Sequence, residues 1–169
     1  MADTGALSPQ TMADDATVGT VAWTNPDNAK ASDNVYTSVG SGITHYLKAT
    51  NFGFIIPTGA TIDGILVEIE QKDFGFGALE NSIKIVKGGV ISGEEKSTGA
   101  EIPDTDTYVS YGSSTDLWGL PWTAEDINLS TFGVVFSDTD FSGVDHIRIT
   151  VYYTEAITYN SPFPSFRRI

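Results

Sequence analysis

The segment from Val144 to Thr154 alternates between two sets of side chains. Successive side chains of a β-strand point to opposite faces of a sheet, so a period of two predicts a strand with one face on a core. The same period recurs from Thr61 to Lys72, where Leu66, Glu68 and Glu70 form the second set. We therefore expect two strands to share a core through Ile65, Val67, Ile69, Ile147, Ile149 and Val151.

The rest of the chain has the composition and spacing of residues that are typical of an all-β protein. Its 17 glycines and 7 prolines separate short runs of valine, isoleucine, threonine and aromatic residues, and helical stretches are almost absent. This pattern predicts a two-sheet antiparallel β-sandwich, jelly-roll-like, with extended arms at both ends. We expect an N-terminal arm over residues 1–17, a β-sandwich domain over 18–155 and a C-terminal arm over 156–169.

Two local signals refine this reading. Gly88-Gly89 is a tight-turn signal and predicts a hairpin between Ser82–Lys87 and Val90-Ile91. Thr123 can cap a short helical turn, with Glu125 and Asp126 near the positive end of the helix dipole.

Composition excludes several classes of protein. The chain has no cysteine, so disulfides and thiolate metal sites are ruled out. A formal charge of −13 argues against binding to nucleic-acid backbones or to an anionic membrane surface. The first residues show neither a basic leader nor an apolar run, so we expect no secretory signal.

No catalytic constellation is evident. Only His45 and His146 are present, 101 positions apart, and surface or interface roles suit both. Glu68 and Glu70 lie two apart on one strand face, as the paired carboxylates of a glycosidase could, but any solvated strand gives that pattern. We therefore expect no enzyme activity, no transition metal and no cofactor.

Two ligand-binding hypotheses stay open beside plainer alternatives. Asp138, Asp140 and Asp145 could supply oxygen ligands for Ca²⁺, with Asp104 and Asp106 as weaker candidates, although aspartates also favour turns. Trp118 and Trp122 flank a Gly-Leu-Pro bend and could stack on sugar rings, but aromatic residues in such a place more often close the end of a core.

The C-terminal segment AITYNSPFPSFRRI predicts an attachment arm. Its prolines prevent it from continuing a sheet, and it contains no acid. Residues 1–155, in contrast, carry 7 basic and 22 acidic side chains. We expect the arm to contact an acidic partner through Tyr159, Phe163, Phe166, Arg167 and Arg168. The alternative is that it packs on its own domain.

Four phrases carry a resemblance: AWTNPDNAKASDNVYTSV, TNFGFIIPTGATIDGILVEIE, WTAEDINLSTFGVVFS and VDHIRITVYYTE. Together they span about Ala22 to Glu155, and the chain resembles small jelly-roll virion structural proteins of tailed bacteriophages. The resemblance implies a virion location after assembly in the host cytoplasm. It also implies a homo-oligomer, a trimer by family analogy, with the major capsid protein or another virion subunit as partner.

Three functions follow from these observations. A capsid decoration or cement protein that binds and stabilises the major capsid shell ranks first. A tail- or fibre-associated receptor-binding module is the second, and a carbohydrate-binding β-sandwich is the third. Exposed tryptophans would favour the sugar binder, whereas buried ones would favour a structural role.

Overall fold

The computed structural model describes residues 1–157. Over this range the chain forms ten strands in two antiparallel sheets, which confirms the predicted all-β sandwich. The strands are β1 (Ala2–Asp3), β2 (Thr11–Asp15), β3 (Thr37–Ser38), β4 (Tyr46–Thr50), β5 (Thr61–Asp73), β6 (Glu80–Lys87), β7 (Val90–Ser92), β8 (Thr107–Ser113), β9 (Gly133–Asp138) and β10 (Ser142–Thr154). A 3₁₀ turn occupies Pro26–Ala29, and helix α1 occupies Ala124–Asn128.

The first sheet is built around the two alternating strands. Its order is β1-β10-β5-β8, and β5 and β10 are antiparallel neighbours along almost their whole length. The other edge of β10 is covered by four separate segments: β3, Lys30, Leu7 and β1. The backbone groups of β10 are thus paired by segments from the N-terminal part of the chain.

The second sheet has the order β2-β4-β9-β6-β7. The predicted hairpin is confirmed, because Lys87 of β6 pairs with Val90 of β7 across the two glycines. Strand β9 lies in the middle of this sheet and is buried along its whole length.

The core lies between the two sheets. All six residues that alternation predicted to share it are fully buried in one hydrophobic cluster, which confirms that prediction: Ile65, Val67, Ile69, Ile147, Ile149 and Val151. The second sheet contributes the fully buried side chains of Leu47, Ile83, Ile85, Val134 and Phe136 to the same cluster.

The predicted helix cap is also confirmed. The Thr123 hydroxyl accepts a hydrogen bond from the Asp126 backbone N–H at 3.1 Å, and the Asp126 carboxylate accepts one from the Thr123 N–H at 3.0 Å. This reciprocal pair satisfies two backbone donors that the first helical turn leaves free.

The N-terminal residues differ from the prediction. Residues 1–17 were expected to form an arm, whereas β1 and β2 join opposite sheets and Leu7 pairs with Ile149 between them. The physical reason is that β10 and β4 would otherwise present unpaired edges, which β1 and β2 cover. Backbone pairing along an edge needs no apolar alternation in the covering segment. Residues 1–17 therefore show no apolar alternation, although β1, Leu7 and β2 are paired through their backbones.

The far end of the chain is only partly described. Strand β10 ends at Thr154, and the predicted contact residues Tyr159, Phe163, Phe166, Arg167 and Arg168 lie outside the described residues. No helix within residues 1–157 is both long enough and apolar enough to span a membrane.

Candidate functional site

Three exposed phenylalanines form one surface at an end of the sandwich. Phe74 and Phe76 lie in the turn between β5 and β6, and Phe141 lies in the turn between β9 and β10. Their exposed fractions are 41%, 64% and 38%. The rings of Phe76 and Phe141 are 4.6 Å apart between centroids, and the Phe74 N–H donates to the Phe141 carbonyl at 3.1 Å. We call Phe74, Phe76 and Phe141 the aromatic surface.

Asp73 holds the first of these turns in place. Its carboxylate accepts hydrogen bonds from the backbone N–H groups of Gly75 and Phe76 at 3.1 Å each and of Gly77 at 2.8 Å. Burial alone would raise the pKa of Asp73, but these backbone donors outweigh burial and hold the pKa below its ordinary value. Gly75 and Gly77 both have positive φ, which suits glycine. The turn is thus rigid before any partner binds.

Tyr36 connects the aromatic surface to the outward face of the first sheet. Its ring meets Phe74 edge to face, with centroids 5.8 Å apart, and the Lys72 ammonium lies 5.9 Å from its ring centroid. The Tyr36 hydroxyl donates to Asp106 at 2.8 Å. Burial and this bond to a carboxylate raise the pKa of Tyr36 to about 12. The tyrosine is therefore a neutral donor at physiological pH.

Glu68 and Glu70 do lie on one outward face, but they do not act as a pair. Both oxygens of Glu68 accept hydrogen bonds from Arg148, from Nε at 2.8 Å and from Nη2 at 3.0 Å. The Arg148 guanidinium also stacks on the Tyr108 ring at 3.9 Å. Because the Glu68 carboxylate is held by an arginine fork, it is not a free nucleophile, and the glycosidase hypothesis loses its support.

The two histidines have separate environments. His45 Nδ1 lies 2.7 Å from an oxygen of Asp14. His146, expected at a surface or interface, is instead buried beneath the N-terminal segment, with Nε2 2.8 Å from the Ser8 hydroxyl and Nδ1 2.7 Å from the Tyr108 hydroxyl. Burial lowers the pKa of His146, so its ring is neutral. The difference arises because the segment covering it was read as a free arm.

The three aspartates of the calcium hypothesis do not converge. Asp138 is fully buried against Ser142, and burial raises its pKa to about 8. Asp140 accepts bonds from Ser41 at 2.8 Å and from the Gly42 N–H at 3.1 Å. Asp145 instead lies beside Glu70 and Asp106. The predicted set was therefore wrong, although one member belongs to a different carboxylate cluster.

The tryptophans belong to the core. Trp118 is fully buried, and its Nε1–H donates to the Ile65 carbonyl at 3.0 Å. Trp122 packs against the hydrophobic cluster of the core, and its ring meets Phe132 edge to face, with centroids 5.4 Å apart. Trp118 therefore has no exposed face for a sugar ring, and the partly buried Trp122 has the Lys87 ammonium 5.1 Å from its ring centroid.

Comparison with known proteins does not assign the chain to a group. No family model, no curated protein and no solved structure matches it.

The aromatic surface was missed by sequence reasoning. The residues FGFG at 74–77 indicate only a glycine-rich turn, and Phe141 lies 65 positions beyond Phe76. The available signal was two phenylalanines that alternate with glycines in a turn between strands. A contiguous exposed apolar group of this kind is typical of a contact surface.

Proposed function

We propose that this chain is a bacteriophage virion structural protein that decorates the capsid by binding and stabilising the major capsid shell. The observation that carries the proposal is the aromatic surface on a pre-organised turn of a β-sandwich. A rigid turn loses little conformational entropy on docking, so more of the contact free energy appears as affinity. The resemblance to jelly-roll virion proteins supplies the virion context, and the jelly-roll topology itself stays a prediction.

The size of the surface fits the centre of an interface. Phenylalanine buries about 150–250 Å² when fully covered, and these three already hide part of that area. Covering the remainder contributes about 1–2 kcal/mol per ring. A stable interface buries about 800 Å² on each partner, so the aromatic surface supplies its apolar core, and surrounding polar residues supply the rim.

Charge favours a different protein as the occupant of this surface. Two copies that each carry −13 repel each other, which lowers their rate of encounter. The major capsid protein is therefore the proposed occupant of the aromatic surface. Trimer formation, which rests on family analogy, would use another part of the body.

A carbohydrate-binding function loses its main candidates, because Trp118 is buried and Trp122 is packed on the core. No described feature favours a tail or fibre location over a head location. Gold-labelled antibodies on purified virions of the phage that encodes the chain separate these cases directly. Labelling on heads is expected, whereas labelling confined to tails, or none, would contradict the proposal.

The contribution of the aromatic surface can be measured with decoration-free capsids of the same phage. Phe76→Ser should reduce affinity about tenfold, because it removes about 1.4 kcal/mol of apolar contact. Ile55→Ser is the matched control, since Ile55 is 91% exposed and lies elsewhere on the body. Binding by the Phe76 variant equal to that of the control would show that another surface makes the contact.

The C-terminal arm gives a second test of the same proposal. Deleting residues 157–169 should leave the β-body folded and weaken incorporation into particles, because Tyr159, Phe163 and Phe166 would no longer dock. Competition between truncated and full-length protein for capsids measures the effect. Equal occupancy would contradict docking, and a lowered melting temperature would instead support packing on the arm's own domain.

A further inference from the structure

Three carboxylates from distant parts of the chain meet on the outward side of the first sheet. Glu70 lies on β5, Asp145 on β10, and Asp106 directly before β8. One oxygen of each lies within 4.8 Å of the others. This is the one such cluster of potential metal ligands within residues 1–157. We call Glu70, Asp106 and Asp145 the carboxylate cluster.

A β-bulge brings Asp145 to this position. The register between β10 and β5 shifts between Val144 and His146, so Asp145 is an extra residue on its strand. Val144 and Ile147 both point into the core, and Asp145 and His146 therefore both fall on the outward side. Bulges redirect individual side chains in this way, often beside functional sites.

Two oxygens of the carboxylate cluster are buried without a partner. Oε2 of Glu70 and Oδ1 of Asp106 have essentially no exposed surface and accept no hydrogen bond from the described residues. Four buried side-chain atoms lack a partner over residues 1–157, and two of them are here. An unpaired buried carboxylate oxygen is costly, so its presence in a cluster of acids points to a missing positive ligand.

Donors hold the two aspartates of the cluster. Asp145 accepts hydrogen bonds from the backbone N–H groups of Asn34 at 3.0 Å and Val35 at 3.1 Å. Oδ2 of Asp106 accepts from the Tyr36 hydroxyl at 2.8 Å. The carboxylates of Asp106 and Asp145 are thus oriented by their outer contacts, while Oε2 of Glu70 and Oδ1 of Asp106 stay free. Supporting bonds of this kind fix metal ligands in position.

No cationic side chain neutralises the cluster. Within residues 1–157, no lysine, arginine or histidine nitrogen lies within 4.0 Å of these three carboxylates. The nearest candidates are committed elsewhere, since Arg148 is bound to Glu68 and both ring nitrogens of His146 lie at hydrogen-bond distance from hydroxyls. Three carboxylates therefore lie together without an ion-pair partner among the described residues.

We propose that the carboxylate cluster binds a calcium ion. Calcium takes oxygen ligands at about 2.3–2.6 Å, so two oxygens on one ion lie at most about 5 Å apart, as these do. An all-oxygen set without thiolate or imidazole matches a hard cation. Water or backbone carbonyl oxygens would complete the six to eight ligands that calcium requires. The inference is independent of the virion proposal, because it concerns the folded chain alone.

Calcium binding would add a cross-link between three neighbouring strands that are already paired. The ion would join β5, β10 and the start of β8, and Asp145 and Asp106 would extend its hold to the 33–36 loop. Tyr36 of this loop packs on Phe74. Calcium would therefore order the support beneath the aromatic surface.

The first experiment is thermal unfolding of the full chain after treatment with a chelator, with and without CaCl₂, in 150 mM NaCl to screen non-specific attraction to an acidic body. A concentration 100 times the dissociation constant should raise the melting temperature by about 5–10 °C. Glu70→Gln and Asp106→Asn should lose most of this rise. Glu68→Gln, the matched control on the same strand face, should keep it.

A second measurement does not depend on stability. Terbium ions bind calcium sites and luminesce when a nearby aromatic ring absorbs light, and Tyr36 contacts the cluster directly. Terbium luminescence that CaCl₂ displaces is expected for wild type, and Tyr36→Phe tests the Tyr36–Asp106 contact in the same assay. Absence of both calcium-induced stabilisation and displaceable luminescence in wild type would overturn the proposal. Retention of both by Glu70→Gln, or equal loss in Glu68→Gln, would also overturn it.

Discussion

The two faces of strand β5 show how differently apolar and polar residues find their partners. Ile65, Val67 and Ile69 on the inward face are all fully buried in one cluster. On the outward face, Glu68 and Glu70 are only two residues apart, yet one is neutralised by Arg148 and the other joins two aspartates. Burial is non-directional and depends on the residue itself, whereas a charge depends on what lies within a few ångströms.

The largest expected effect comes from making the inward face resemble the outward one. Ile149→Asp should destabilise the protein by more than about 4 kcal/mol and prevent folding, because it buries an unpaired charge. Circular dichroism and urea denaturation measure the change. Val90→Asp, at a position that is 66% exposed on β7, should remain folded. Similar unfolding of both variants would show that burial of the substituted position does not decide the outcome.

An acid that already lies in the interior tests the same comparison through pH. Because burial raises the pKa of Asp138 from 3.8 to about 8, the folded protein keeps a proton that the unfolded chain loses. The stabilisation that protonated Asp138 gives the folded protein is complete below about pH 4 and is lost as the pH rises to about 8. Asp138→Asn should therefore gain stability relative to wild type over that range, by several kcal/mol at most. Denaturation curves from pH 4 to 9 measure the difference, and a constant difference would contradict the assignment.

On the outward face, removal of the arginine should have a smaller effect. Arg148→Met leaves Glu68 without its two charge-assisted bonds and should cost about 1–2 kcal/mol of unfolding free energy. Both side chains keep some solvent contact, 33% for Arg148 and 19% for Glu68, which limits the loss. A double-mutant cycle with Glu68→Gln should show a coupling of about 0.5–1 kcal/mol. A coupling of zero would mean that packing on Tyr108 dominates.

The smallest expected effect on the unfolding free energy distinguishes Glu70 from Glu68. In calcium-free buffer, Glu70→Gln should raise the unfolding free energy by about 0.5–1 kcal/mol, because it removes a negative charge from a cluster of three. Glu68→Gln should lower it by a similar amount, because it weakens a bidentate ion pair. Urea denaturation of the two variants compares them directly, and the same sign for both would remove the distinction between them.

Much of the fold was predictable from the sequence because it depends on periodic burial. The core face of β5 and β10, the β6–β7 hairpin and the Thr123 cap each follow from a local pattern with a physical cause. The N-terminal strands were missed, since β1 and β2 cover the edges of β10 and β4 through backbone groups, which need no alternation. Nothing in residues 1–17 alternates in a way that would indicate it.

The carboxylate cluster and the aromatic surface were less predictable than the core, for a related reason. Glu70, Asp106 and Asp145 were each noticed, but their meeting depends on strand register and on one bulge. A shift of one residue sends a side chain to the opposite face, so separations along the chain carry little information about such a cluster. The phenylalanines of the aromatic surface are brought together by two different turns, which composition alone does not reveal.

The covering of β10 by early segments has a consequence for how the protein is made. During synthesis, β1, Leu7, Lys30, β3 and β5 all emerge from the ribosome before the strand they pair with. The first sheet therefore cannot close until β10 has emerged, and the edge of β5 that β10 covers stays open while residues 74–141 are made. Closure of contacts so distant in sequence is intrinsically slow. The open edge of β5 therefore stays exposed to mispairing until β10 is released from the ribosome.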